Sequence, residues 1–279
     1  MKSHSRNAIL KAEEKVLSMA AQADPFELYE ASEQDPQFEC EFLQTKFSDI
    51  RGRNPFLLRE DFCSTAYLCR EWIKQGDLYR AIGVDIDPKP LKWCKSQAET
   101  LLSPCQRARL MLIEENVVNV SEPTVDLIYA GNFSYWLFLT RTNLVNYFKS
   151  ALKSLTNDGI LFLDAFGGHE AFKTGIERRR RKGFSYIFEQ SNINPISQTM
   201  DCSIHFKFPD GSCLNHVYKY QFRIWALPEI RESIIDAGFS DVLFFWEEED
   251  DEGNGTGNYS VSEKGSNDPV WVAMIAAIK

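Results

Sequence analysis

The chain has 279 residues, 44% of them hydrophobic and 25% charged, a composition suited to one large globular domain or two small ones. A net charge of −9 excludes the broad basic face that non-specific nucleic-acid binding needs. No apolar run approaches the roughly 20 residues of a membrane span, and Glu13, Glu14 and Lys15 interrupt the stretch where a secretion signal would be continuous, so the expectation is a cytoplasmic chain without nucleic-acid or membrane partners.

Residues 5–22 read as an amphipathic helix, with Ile9, Leu10, Val16, Leu17 and Ala20 on one side. Asp24-Pro25, with Glu27 at the third helical position, starts a second helix, and Asp35-Pro36 starts a third that ends near Arg51-Gly52. From residue 55 the texture changes to alternating strands and helices. Strands are expected at 55–60, 79–85, 109–114, 125–130 and 160–166, and helices at 64–75, 87–102 and 140–155. Several of these strands are almost continuously apolar, the pattern of a parallel sheet covered on both faces.

Residues 167–226 break the alternation. Gly167-Gly168 opens a basic piece around Arg178–Lys182 that reads as helical, and a charge run of this kind is by default a solvated helix face, with an anion clamp as the functional alternative. Strand-like runs follow at 184–190, 200–208 and 214–224, the last two joined by a hairpin turn at Pro209-Asp210-Gly211-Ser212. A helix at 228–237 closes on Gly238, a strand covers 241–246, residues 247–267 read as an acidic, then Gly/Asn/Ser-rich loop, and 270–278 is a final strand that pairs antiparallel with the one before it. The expected fold is therefore α/β and Rossmann-like. It has a doubly wound, mostly parallel seven-stranded sheet with a C-terminal antiparallel strand pair. N-terminal helices (1–54) precede a core at 55–166 and 227–279, and 167–226 is a small antiparallel β insertion.

Seven cysteines, at 40, 63, 69, 94, 105, 202 and 213, contain no CxxC pair, and the four histidines do not cluster with them, so no metal site is expected. Cys202 and Cys213 could face each other on the hairpin.

In an open parallel sheet the ligand lies beyond the carboxyl ends of the strands, where strand order reverses. The first strand ends at Arg59-Glu60-Asp61, and Phe62-Cys63-Ser64-Thr65-Ala66 leads into a helix N-terminus, whose free N–H groups suit a carboxylate. The second strand ends in Asp85, placed to accept hydrogen bonds from ribose hydroxyls. No glycine lies between Gly52 and Gly76, so a pyrophosphate is poorly served, while the acids suit a cationic ligand.

With these motifs in place, the chain resembles the class I S-adenosylmethionine-dependent methyltransferases. LLREDFCSTA, NFSYWLF, HFKFPDGS and YQFRIWALPEIRESIIDAGF look like a bacterial branch whose first motif reads LREDFCGTA, and the likeness covers about residues 25–279. It implies S-adenosylmethionine as cofactor, S-adenosylhomocysteine as product and a small-molecule acceptor. It also implies that Arg59, Glu60, Phe62, Cys63, Ser64, Thr65 and Ala66 surround the methionine part. Asp85 would bind the ribose and Ile86 the adenine face. Asn116 and Val117 would meet the adenine edge, Asn132 and Phe133 would floor the site, and Tyr29 would close over the tail. Phe62, Ser64 and Ala66 fill the family's three glycine slots. If the acceptor is an amine it must be neutral to attack, and Tyr135, His205, His216 and Glu189 are the candidate bases. Trp136, Phe166, Tyr186, Arg223 and Trp225 would line the acceptor pocket, with 167–226 as its lid. Two other readings stay open on the sequence: a methyltransferase fold kept only for binding, and a nicotinamide-dependent oxidoreductase.

Overall fold

The computed structural model describes residues 17–279. Of the first expected helix, residues 5–16 lie outside the described part; the remainder is one turn, α1 (Met19–Gln22). Helices α2 (Pro25–Glu33) and α3 (Pro36–Arg51) start at the expected Asp-Pro pairs, where Asp24 accepts from Phe26 N–H and Asp35 from Phe38 N–H. Such a cap satisfies an otherwise orphaned donor and is worth about 1 kcal/mol. Asp24 also accepts from the Trp93 indole at 2.7 Å, so the cap of α2 anchors it to a second helix.

The core then runs β1 (Leu57–Asp61), α4 (Tyr67–Trp72), β2 (Arg80–Asp85), α5 (Pro88–Leu101), α6 (Pro104–Arg107), β3 (Leu110–Glu114), β4 (Val125–Ala130), α7 (Arg141–Ser154) and β5 (Leu155–Gly167). Four strands follow without a helix, β6 (Gly175–Arg181), β7 (Phe184–Asn194), β8 (Thr199–Lys207) and β9 (Cys213–Arg223). The chain returns through α8 (Leu227–Ala237), β10 (Asp241–Glu249), β11 (Gly255–Val261) and β12 (Trp271–Ile278).

Strand order in the main sheet is β11-β10-β12-β5-β4-β1-β2-β3. β1 to β5 pair in parallel, and β12 enters antiparallel between β5 and β10. Order reverses between β1 and β4, which sets the crevice there. One apolar cluster joins the sheet to α7 and α8; the other joins its opposite face to α3, α4 and α5. The second sheet, β6-β7-β8-β9, is antiparallel throughout and packs against α1 and α2 through Ala20, Leu28, Tyr186, Ile204 and Phe206. Among the described residues no helix is long and apolar enough to cross a membrane.

Four local expectations are corrected. The basic piece at 178–182 is not a helix but the edge strand β6, paired in register with β7 from Gly175↔Gln190 to Arg181↔Phe184. The stretch 247–267 is not all loop: β11 pairs with β10 and makes the main sheet eight-stranded rather than seven. The helix expected from Ser64 starts at Tyr67, because residues up to Ala66 hold a left-handed turn. Cys202 lies opposite Tyr220 and Cys213 opposite Lys207, so the two thiols do not meet, and all seven cysteines are free.

Three buried carboxyls crowd the α3 side of the sheet: Glu39 on α3, Glu60 on β1 and Asp164 on β5. Tyr129, directly across from Glu60 in the register, is buried with them. Burial pushes Glu39 up to about 8 and Glu60 and Asp164 to about 7, and in Glu39 the two other acids add to the effect. A carboxyl whose folded pKa is raised binds more protons folded than unfolded, so stability falls as pH rises through that window. Thermal unfolding should therefore give a higher Tm at about pH 6 than at about pH 8.5, and Glu39→Gln should flatten the slope. A Tm that climbs from the lower to the higher pH would contradict this placement of the acids.

Candidate active site

The turn after β1 determines the shape of the crevice. Phe62, Ser64 and Ala66 have φ of 58°, 47° and 51°, so the three positions a glycine-rich loop would use keep the left-handed backbone while carrying side chains. Each such residue costs about 1–2 kcal/mol. Carboxylates hold the turn in place. Asp85 Oδ2 accepts from Ser64 N–H at 2.7 Å, and Glu60 Oε2 accepts from Cys69 N–H at 3.1 Å, in the first turn of α4, where no side chain of Ala66 can cap. Behind it, β2 leaves room at Gly83, where a Cβ would come within 2.8 Å of Cys63 Sγ.

Arg59 and Asp61 do not face the crevice. They form a buried bidentate pair, 2.6 and 3.0 Å, and Arg59 also donates to Val120 O and Ser154 Oγ while the Tyr147 hydroxyl donates to Asp61. With Arg59 only 1% exposed, this network ties β1 to α7 rather than meeting a ligand.

After β4 the chain makes a second left-handed turn, at Asn132 (φ 54°) and Phe133 (φ 57°). Asp164 receives both of their N–H groups at 2.8 Å, and its own carbonyl accepts the Tyr135 hydroxyl. The turn thus presents Asn132 and Phe133 outward and buries Tyr135.

These strand ends and the second sheet enclose a cavity of about 760 Å³, within the roughly 300–1,000 Å³ of ligand pockets. Of the residues expected at the site, Tyr29, Phe62, Ser64, Asp85, Ile86, Asn116, Val117, Asn132, Phe133, Phe166 and Tyr186 line it. The others stand elsewhere. Arg59, Glu60, Cys63, Thr65 and Ala66 are buried behind the turn, and Tyr135, Trp136 and Trp225 are buried in the core. Arg223 lies over the Trp225 ring and pairs with Glu229.

Glu189, His205 and His216 come together on the far face of the second sheet, with candidate ligand atoms within 4.8 Å of one another. The His205 ring accepts His216 N–H at Nδ1 (3.1 Å), which leaves the proton on Nε2, directed at Glu189 (3.1 Å). With Nδ1 accepting and Nε2 donating, this neutral ring offers no free lone pair to a metal.

Sequence reading missed Phe26, Glu33, Phe188, Gln190, Tyr218, Tyr220 and Phe222, all on the cavity wall. Strand alternation was the available signal: Tyr186, Phe188 and Gln190 on β7, and Tyr218, Tyr220 and Phe222 on β9, each recur every second residue. The wall carries Glu33, Asp85, Asp87, Glu170 and Glu177 against Arg179 and Lys219, so carboxylates outnumber cations. Of the arginine run, only Arg179 faces the cavity, and Glu33 and Glu177 already engage it. Arg181 donates to Ser32 O, so no anion clamp forms.

No family model matches the chain, and no curated protein sequence is similar to it. Its structure, however, is similar to several solved ones. An S-adenosylmethionine-dependent methyltransferase from Clostridium acetobutylicum is 14% identical with a TM-score of 0.65, covering 90% of this chain and 96% of its own. The sugar N-methyltransferase KedS8 from a Streptoalloteichus species is 12% identical with a TM-score of 0.61, covering 100% and 98%. CalS10, an amino pentose methyltransferase from Micromonospora echinaspora solved with S-adenosylmethionine bound, is 12% identical with a TM-score of 0.60, covering 89% and 94%. The chain shares their fold.

Replacing a left-handed Ser64 by glycine removes the steric conflict of its Cβ. Ser64→Gly should raise unfolding stability by about 1 kcal/mol, read as an increased midpoint in urea. A loss of stability would mean that the serine side chain, not the backbone, holds this turn.

Proposed function

We propose that this protein is an S-adenosylmethionine-dependent methyltransferase acting on a small-molecule acceptor. The observation that carries this reading is a roomy cavity at the strand-order reversal of a methyltransferase fold, walled by the residues that would hold each part of the cofactor.

The donor set fits the group. Asp85 Oδ1 accepts Asp87 N–H and Oδ2 accepts Ser64 N–H, which leaves two of its roughly four lone-pair sites for the ribose hydroxyls. Ile86 stands 69% exposed inside the cavity, an apolar surface that an adenine ring would cover. Asn116 spends its Oδ1 on Val118 N–H and keeps its amide N–H₂ for the adenine edge, beside Val117. Phe62, Ser64, Asn132, Phe133 and Tyr29 would surround the methionine tail, and the surplus of wall carboxylates suits its positive centre. The filled glycine slots leave this cavity open, since the left-handed backbone turns their side chains without blocking it.

When bound, the cofactor supplies an electrophilic methyl group on a sulfonium. The chain's own contribution is to orient the two reactants and to exclude water. We read the β6–β9 insertion, residues 167–226, as the lid over the acceptor, and α1 and α2 as the cap braced against it. Tyr135 and His205 lie off the cavity, and we assign no base among the residues first considered for that role.

Calorimetry on the purified protein should show micromolar binding of S-adenosylmethionine and S-adenosylhomocysteine and none of NAD. Absence of both would overturn the cofactor reading. Asp85→Ala should weaken S-adenosylhomocysteine binding by about 1–3 kcal/mol; an unchanged affinity would remove Asp85 from the ribose site.

A further inference from the structure

The lid end of the cavity has a distinct chemistry. Glu33, the last residue of α2, projects there and is engaged by the Arg179 guanidinium at 3.2 Å, with Tyr186 beside it on the wall. Arg179 in turn serves Glu177 at 2.6 Å and lies over the Tyr186 ring, 5.3 Å from its centre. Arg181, bonded to Ser32 O, also acts on Glu33, so the surplus of negative charge belongs to the wall as a whole, where Glu33, Asp85, Asp87, Glu170 and Glu177 face Arg179 and Lys219. The same wall carries tyrosine rings. Tyr29 and Tyr220 both line the cavity, and the Tyr29 ring packs on that of Tyr218 with centroids 4.9 Å apart. Phe188 continues the aromatic wall.

Aromatic faces carry negative charge and attract a cation, the more so when it is desolvated. The surplus of wall carboxylates adds to the same field. An anionic acceptor would meet the wall's surplus of carboxylates, with Arg179 already engaged by Glu33 and Glu177. A neutral polyol could use the tyrosine hydroxyls but would gain nothing from the charge. Burial raises the Glu33 carboxyl from its usual range, opposed by Arg179 and Tyr186, so a further positive partner would favour its ionised form.

We propose that the acceptor is an amine, and that Glu33 with the Tyr29, Tyr186 and Tyr220 wall binds its positively charged nitrogen group. The assignment deepens the methyltransferase reading and rests on it for the word acceptor; the cation preference of the wall stands on the wall residues alone. The nitrogen is held as an ammonium in this encounter, and Glu33 is the group placed to take its proton.

The test uses three probes on one skeleton: cyclohexylamine, cyclohexanol and cyclohexanecarboxylate. Ligand-observed NMR titration of the full-length protein, with and without S-adenosylhomocysteine, should show the amine binding at least about tenfold more tightly than the other two, a difference of about 1.4 kcal/mol. In Glu33→Gln the preference should vanish while S-adenosylhomocysteine affinity, measured separately, stays unchanged, which shows the variant folded. A carboxylate that binds as well as the amine, an amine that does not bind, or a Glu33→Gln protein that keeps the preference would each overturn the assignment. If S-adenosylhomocysteine fails to bind the wild type, the cofactor reading falls, and the amine series without it still reports on the wall. If it binds and the amine does not, only the acceptor assignment fails.

Discussion

The chain must reverse direction between β1 and α4 through five residues, and it does so with three left-handed residues and no glycine. That backbone is unfavourable for residues with a Cβ and persists only where the surroundings over-determine it. Here the surroundings are carboxylates. Asp85 holds the middle of the turn and Glu60 holds the start of α4, while the buried Arg59–Asp61 pair fixes the strand that leads in. A buried ion pair of this kind contributes little net stability but penalises any arrangement that strands one of its members. The same solution recurs after β4, where Asp164 gathers the two N–H groups of a left-handed Asn132-Phe133 turn. Glu60, which the resemblance assigns to ligand binding, and its neighbour Asp61 thus serve to shape the backbone that faces the cavity.

The cavity exists because two sheets meet across those turns. The parallel sheet contributes its strand ends and the antiparallel one contributes a face of alternate side chains. One wall presents the polar groups of Asp85 and Asn116 beside the apolar side chain of Ile86. The other is aromatic, rich in tyrosine hydroxyls, and net negative. The second sheet is braced by α1 and α2 on its cavity-facing side, with Met19 N–H on Asp210, Ala20 N–H on Ser212 at the hairpin tip, and Arg179 bonded to Glu33. The N-terminal helices therefore hold the second sheet in place as well as lining the cavity through Phe26, Tyr29 and Glu33.

Much was legible from the chain alone because the signals are local. Asp-Pro pairs cap α2, α3 and α5 where expected, since a cap depends only on residues three or four apart. Continuous apolar runs marked the parallel strands, and the acid ending β2 was readable as a cavity residue from its distance along one βαβ unit. Period-two alternation also carries the cavity face of β7 and β9, at Tyr186, Phe188 and Gln190 and at Tyr218, Tyr220 and Phe222.

What only the tertiary structure decided concerns residues whose neighbours are distant in sequence. The arginine run reads as a helix face, yet register with β7 makes it an edge strand whose alternate residues, Glu177 and Arg179, enter the cavity. β11 carries Gly, Thr, Asn and Ser, which promise a loop, and becomes a strand because β10 extends to Glu249 and offers it an edge. Tyr135, Trp136 and Trp225 have the chemistry of a binding wall and are instead buried, since the direction of a side chain at a turn depends on the φ values around it and on the acceptor that takes its hydroxyl. Composition, caps and periodicity are set by near neighbours and were present in the sequence; which face each polar side chain meets is set by strand pairing and by the left-handed turns, and it took the folded chain to settle that.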